Sequence, residues 1–350
     1  MTIPASVLAS AIGTIFIAGI MCGIYMLPMK YLGRWAWENM WIIFISISCV
    51  LMPICIVFKT VPDFMYVLGN APLSAIFWSC GLGFAWGFGA IMFGQGISAL
   101  GVSMSNTLVL AISASLGSFL PMIVLAPERM YHPQGIAIIG GTLIGITGII
   151  FCGYAGHLRE RSQKDRTEAV RGKMVGKARS FRTGVFLCAG AGLLSAVLNI
   201  GYSEAQPVLS TAVRLGYSTF DGSNLVWLLM LGSGAIPNLC LCFYLLTKNR
   251  TWGRFSISNS LPLYSLSVLM GLLWGGDIFL YGYASPQLGK LGPAIGWPIK
   301  LIAGLITANI AGFWTGEWKY TQPATRKWMF TGLAILLFAI ASLGWSSTLK

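Results

Sequence analysis

Charge is what this chain has least of. Only 9% of its 350 residues are Asp, Glu, Lys or Arg, with ten acids in all. A soluble domain carries roughly 25% charged residues spread over its surface. That shortage excludes an ordinary water-facing fold. Histidine is scarcer still, with His132 and His157 alone, both between apolar stretches. A histidine-built metal centre is therefore excluded. There is no Gly-x-Ser-x-Gly, His-Glu-x-x-His or Walker loop, so the motifs of serine hydrolases, zinc proteases and P-loop nucleotide hydrolases are missing. The chain reads as no enzyme, with no cofactor, and any active transport must draw on an ion gradient. No alternating polar/apolar pattern runs along it either, which leaves helices as the way to satisfy backbone groups in hydrocarbon.

Apolar residues make up 56% of the chain. They fall into ten spans, roughly 5–28, 38–59, 73–98, 103–126, 134–155, 184–206, 223–247, 260–285, 291–315 and 326–347. Each is about the 20 residues that a membrane helix needs. The expected fold is an all-α integral membrane protein. All eight cysteines (Cys22, Cys49, Cys55, Cys80, Cys152, Cys188, Cys240 and Cys242) lie inside apolar runs and read as small core residues. Cys240 and Cys242 are not spaced as a Cys-x-x-Cys pair. The N-terminus has no basic region ahead of its apolar run, so the first span reads as a retained helix.

The net charge of +13 does not point to nucleic acid, because the basic residues flank apolar spans. Nine Lys/Arg against three acids lie between His157 and Arg182. With this central block in the cytoplasm, seventeen basic residues fall on the cytoplasmic side, five on the outer side and one, Lys300, within a span. The positive-inside rule favours that orientation, which places both termini in the periplasm.

The central block also divides the spans five and five. Gly83, Trp86, Gly87, Gly94, Leu100 and Gly101 recur as Gly271, Trp274, Gly275, Gly282, Leu288 and Gly289, each offset by 188. Glu128 and Glu317 match loosely at 189. An odd-numbered repeat inserts upside down relative to its copy. The expected organisation is a first five-helix repeat over 1–156, a basic linker over 157–183 and a second repeat over 184–350. Transporters built this way bind substrate near the midplane at the repeat interface. Glycine pairs four apart (Gly19/Gly23, Gly83/Gly87, Gly141/Gly145, Gly271/Gly275, Gly292/Gly296) suit close helix packing, or bundles that rock.

Charges inside spans are costly and so informative, at about 2.5–3.5 kcal/mol each on insertion scales. Asp277 and Lys300 stand about equally far from a turn expected near Leu288–Gly289. Both are thus ~16 Å deep or less at 1.5 Å rise per residue. They form either a buried structural ion pair or a site where Asp277 exchanges Lys300, a proton and a polar substrate. Glu38, in Trp35-Ala36-Trp37-Glu38-Asn39-Met40-Trp41, is a second proton-coupling candidate. Its bland alternative is an acid at a helix N-terminus within an interfacial aromatic belt. Trp86 and Trp274 offer faces for a sugar ring, or simply pack. Gln95, Asn199 and Tyr281 are polar substrate-binding candidates, beside Asn106 and Asn309, and each needs a partner. Pro237 and Pro298 are expected to kink spans 7 and 9. The sequon Asn249-Arg250-Thr251 lies in an expected cytoplasmic loop and is discounted as a glycosylation site.

Tyr25-Met26-Leu27-Pro28-Met29-Lys30, leading into the Trp35–Trp41 segment, resembles the start of the L-rhamnose–proton symporter family of the drug/metabolite transporter superfamily. The likeness continues through Trp86-Gly87-Phe88-Gly89, Leu100-Gly101-Val102-Ser103-Met104, Ser195-Ala196 with Pro207, and Gly316-Glu317-Trp318. Trp-x-Trp-Glu is its most specific piece. The resemblance implies a ten-helix bacterial inner-membrane carrier that takes up a sugar with a proton. It implies L-rhamnose or a related deoxyhexose as substrate. The chain departs from the family pattern at two positions: Asp277 replaces an amide and Lys300 replaces a histidine. A cationic Lys300 would suit a sugar acid, so a carrier for such a polar metabolite, importer, exporter or exchanger, is the alternative. A membrane enzyme on lipid-linked substrates would need clustered acids or histidines at one interface, which the sequence lacks. A sugar sensor would bind without flux.

Overall fold

The computed structural model describes residues 4–100, 102–125, 127–171, 181–289, 291–316, 318–319 and 321–349. Gly101, Lys290, Glu317, Lys350 and residues 172–180 of the basic block lie outside the described residues. Among the described residues, ten helices are long and apolar enough to cross a membrane. They are α1 (Ala5–Ile24), α2 (Trp37–Thr60), α3 (Leu73–Leu100), α4 (Val102–Leu125), α5 (Pro133–Arg171), α6 (Phe181–Glu204), α7 (Thr219–Lys248), α8 (Leu261–Ala284), α9 (Gly292–Trp314) and α10 (Pro323–Ser346). No strand occurs among the described residues.

The ten expected spans match these helices to within a few residues, except at one end. α5 runs on to Arg171, into the stretch expected to be a linker. Its sequence there is polar and charged and contains no glycine or proline to stop the helix once it has left the apolar layer. α7 and α9 continue through Pro237 and Pro298, and α4 through Pro121. Within α2, residues Ser46–Leu51 form a π-helical stretch. Pro53 follows it and cannot donate to Cys49, which removes one rung of the regular ladder. Gly289 turns the chain after α8 with φ of +82°, a conformation glycine adopts without strain. The turn expected near Leu288–Gly289 is therefore present.

The chain packs into two compact units, and neither is a sequence half. One contains residues 1–88 and 197–292, the other residues 89–196 and 293–350. α3 and α6 each contribute part of their length to both.

In the first unit, α8 packs on α1 and α2, and α7 on α2. α3 crosses α7 in backbone contact. A Cβ at Gly83 would lie 2.3 Å from the Met230 carbonyl oxygen, and one at Gly87 2.4 Å from that of Gly234. Only hydrogen fits there, so this Gly-x-x-x-Gly pair is a packing device. The π-helical stretch of α2 lies against α8, where Gly271 and Gly275 meet Ile47, Ser48 and Met52. In the second unit, α5 packs along α10 and against α4. Gly141 and Gly145 of α5 face Leu343 and Ala339 of α10, which close an apolar seam.

Candidate functional site

The first unit holds Glu38, Trp86, Asn199, Trp274, Asp277 and Tyr281, and the second holds Gln95 and Lys300.

Trp86 and Trp274, singled out by their common offset, stack on each other. Their ring centroids are 5.3 Å apart and the planes differ by 10°. Phe44 of α2 meets Trp274 edge-on at 5.9 Å, and Trp41 and Tyr25 flank Phe44 at 4.8 and 5.8 Å. Such pairs contribute about 0.5–1.5 kcal/mol each beyond the area they bury. The glycines explain how the indoles reach this place. A Cβ on Gly234 would overlap the Trp86 ring at 2.7 Å. One polar anchor fixes the array: Trp41 Nε1 donates to Asn238 Oδ1 at 3.0 Å, while Asn238 Nδ2 donates to the carbonyls of Gly87 and Gly234.

Asp277 follows Trp274 by three residues on α8 and is fully buried. Tyr25 on α1 lies within electrostatic reach of it, and Met21 packs against the neighbouring Gly276. Four residues further along α8, the Tyr281 hydroxyl donates to Asn199 Oδ1 of α6. Tyr202, Trp227 and Tyr281 cluster there, with Tyr202 and Trp227 stacked at 4.7 Å. Two sugar-binding candidates thus bond to each other at the level above Asp277.

Glu38 sits elsewhere, in the first turn of α2. Its Oε1 accepts from Thr251 Oγ1 at 2.7 Å and from Asn249 Nδ2 at 3.0 Å. Around it, Trp35 Nε1 donates to the Arg254 carbonyl, Asn39 to the Thr251 carbonyl and Arg34 to the Ser258 carbonyl. The segment, for which an interfacial belt is one of two readings, forms a buried clasp on the α7–α8 connection; Trp35 and Trp41 are only 5% exposed. The amide of the discounted sequon, Asn249, is one of its rivets.

In the second unit, Lys300 of α9 is 2% exposed. Its Nζ lies 5.0 Å from the Trp297 ring centroid, a cation–π contact of the kind that gains strength when desolvated. Trp297 Nε1 donates to Ser113 Oγ on α4 at 3.2 Å, and Ser113 donates to Ser195 Oγ on α6 at 3.0 Å. Gly117 makes the space for that indole, since a Cβ there would lie 2.4 Å from its ring. Gln95 is half-buried on the part of α3 that belongs to this unit.

Sequence reasoning missed Tyr202, Trp227, Asn238 and Trp297. Signals existed for two of them. Trp297 precedes Lys300 by one helical turn, and Asn238 follows the helix-internal Pro237. Tyr202 and Trp227 carry no such mark.

A family model described as L-rhamnose-proton symport protein matches residues 5–347. Curated relatives point the same way. An L-rhamnose-proton symporter of Yersinia pestis (strain Pestoides F) is 24% identical over 324 residues, covering 91% of this chain and 92% of that one. One of Pectobacterium atrosepticum is 23% identical over 336 residues, covering 94% and 95%.

Proposed function

The chain belongs to the L-rhamnose-proton symport protein family, a family of transporters and not enzymes, and on that premise we propose that it takes up a monosaccharide with a proton across the bacterial inner membrane. L-rhamnose or a related deoxyhexose is the foremost substrate. The observation that carries the coupling is Asp277, a fully buried carboxyl one helical turn from the stacked indoles. A carboxylate in hydrocarbon surroundings is costly when charged and cheap when protonated. In the proposed cycle the outward-open protein protonates Asp277. The neutral site then closes on the sugar, whose C–H face suits the indoles and whose hydroxyls suit the buried amides. Inward opening releases both, by the alternating access expected of inverted five-helix repeats. The Glu38 carboxyl is taken up by its bonds to Thr251 and Asn249 in the clasp, and the coupling role therefore goes to Asp277. The termini lie outside and the basic block inside, following the charge count.

A second reading has one observation in its favour. Lys300 is a cation held inside the protein, and a sugar acid would bring the matching charge.

Both readings meet in one experiment. Purified protein in liposomes is given radiolabelled deoxyhexoses, hexoses and uronic acids, with a pH gradient of either sign. Accumulation of L-rhamnose with an acid exterior supports the first reading. Preference for uronic acids supports the second. Sugar movement indifferent to the gradient removes proton coupling.

A further inference from the structure

Above Asp277, the first unit contains polar groups beyond the sugar-binding candidates, with Tyr281 common to both. They follow one line. Asp277, Tyr281 and Ser285 recur every four residues along α8 and its terminal turn, and all three are fully buried. Ser285 stands one helical turn beyond Tyr281. Beside them, the Tyr202 hydroxyl on α6 donates to the Gly282 carbonyl at 3.1 Å and lies 3.3 Å from Ser223 Oγ on α7. One further face of α7 completes the line: Asn224 and Trp227, three residues apart, are fully buried.

Three atoms in this group lack a hydrogen-bond partner among the described residues. Trp227 Nε1 is a donor only, Asn224 Oδ1 is an acceptor, and Ser285 Oγ can be either. Each would cost about 1–3 kcal/mol if left so. A donor and an acceptor on neighbouring positions of one helix face are the pair that a water molecule satisfies. Gly282 keeps the space polar, because a Cβ there would lie 2.2 Å from Trp227 Nε1 and 2.4 Å from Ser223 Oγ. The line ends near the expected outer surface, where Asn224 Nδ2 donates to Thr60 Oγ1 at 3.3 Å. Asp63 and Asp221 stand at that rim. The titratable group within electrostatic reach of Asp277 is Tyr25 of α1, which has Cys22 beside it; Tyr281 stands one turn further along α8 and is in ring contact with Tyr202 of α6.

We infer that this column holds ordered water and is the route by which a proton reaches Asp277 from the outer face, within the first unit and apart from the sugar's own path. Hydroxyls both accept and donate, so Tyr202, Ser223, Tyr281 and Ser285 can pass a proton along with water. Asn224 and Trp227 hold the water without relaying. The inference rests on the proton-coupled reading of Asp277.

Two measurements test it on the whole protein. Millisecond hydroxyl-radical labelling reports water beside buried side chains. Trp227 is expected to oxidise faster than Trp41, a buried tryptophan of the same unit whose N–H is already bonded; equal rates overturn the water column. In liposomes, Tyr202→Phe with Ser223→Ala is expected to lower gradient-driven L-rhamnose uptake by about tenfold or more, as losing a proton-transfer group does. L-rhamnose counterflow, which needs no net proton, is expected to keep its rate, and this retention certifies the fold. Both rates unchanged, or both lowered together, overturn the route. Asp277→Asn separates the two failures. If it retains gradient-driven uptake, the coupling reading fails and the route with it. If it abolishes that uptake while the double variant does not, only the route fails.

Discussion

The two units handle a buried charge in opposite ways. The first places its carboxyl, Asp277, on α8 between the stacked indoles of Trp86 and Trp274 one turn before it and the Tyr281–Asn199 hydrogen bond one turn after it. The second sets its cation, Lys300, on an indole that is tied through Ser113 to Ser195. A carboxyl among groups that exchange protons is suited to changing its charge. An ammonium on a π face is suited to keeping it, since the contact exists only while the charge does. On the proposed reading, proton exchange belongs to the unit with Asp277, and the unit with Lys300 takes no part in it.

The sharpest way to break this contrast is Asp277→Asn. Gradient-driven accumulation is expected to fall to that of protein-free liposomes, with counterflow preserved and no longer dependent on pH. Accumulation that survives would show that the carboxyl does not carry the proton. Next in size is Lys300→Met, which removes the charge and keeps the length of the side chain. Losing a charged hydrogen bond costs about 1.5–3 kcal/mol, or roughly 10–150-fold in affinity for a ligand that used it. The apparent KM is expected to rise by that factor, most for sugar acids, while the pH dependence of uptake stays as in the wild type. A change in pH dependence instead would make Lys300 part of the proton machinery. The smallest effect belongs to Glu38→Gln. The clasp would lose charge-assisted bonds to Asn249 and Thr251, so thermal unfolding in detergent is expected to report a loss of about 1–2 kcal/mol. The ratio of gradient-driven uptake to counterflow is expected to be unaltered. A changed ratio would return Glu38 to the coupling mechanism.

Much of the fold was legible because lipid leaves few choices. Apolar runs of fixed length, and charges confined between them, gave ten helices with nearly correct ends. The exception, the extension of α5 to Arg171, arises because a helix beyond the lipid answers to helix propensity and no longer to hydropathy. The site was less legible. The 188-residue offset picked out Trp86 and Trp274 as counterparts, and the structure stacks them; no periodicity could show that they touch. The Trp-x-Trp-Glu segment was recognisable as a signature, yet its partners lie more than 200 residues away, at Asn249, Thr251 and Arg254. Hydropathy reads a tryptophan at a helix start as an interfacial anchor. The donors it meets come from a connection whose position is set only by tertiary packing. Asp277 and Lys300 stood out from the beginning because an apolar segment makes any charge conspicuous.

The interleaving of the units bears on how the protein is made. Gly83 and Gly87 leave the ribosome long before Met230 and Gly234, the residues their backbones touch. With about 150 residues between them, synthesis at 5–20 residues per second separates the two by roughly 10–30 s. During that interval α3 sits in the bilayer with an unfilled groove. Every helix of the first half that belongs to the first unit waits in the same way for a partner from the second. Assembly of that unit is therefore a late event, timed by translation of α7 and α8, and a chain halted after the basic block would offer bare glycine faces to whatever quality-control machinery patrols the membrane.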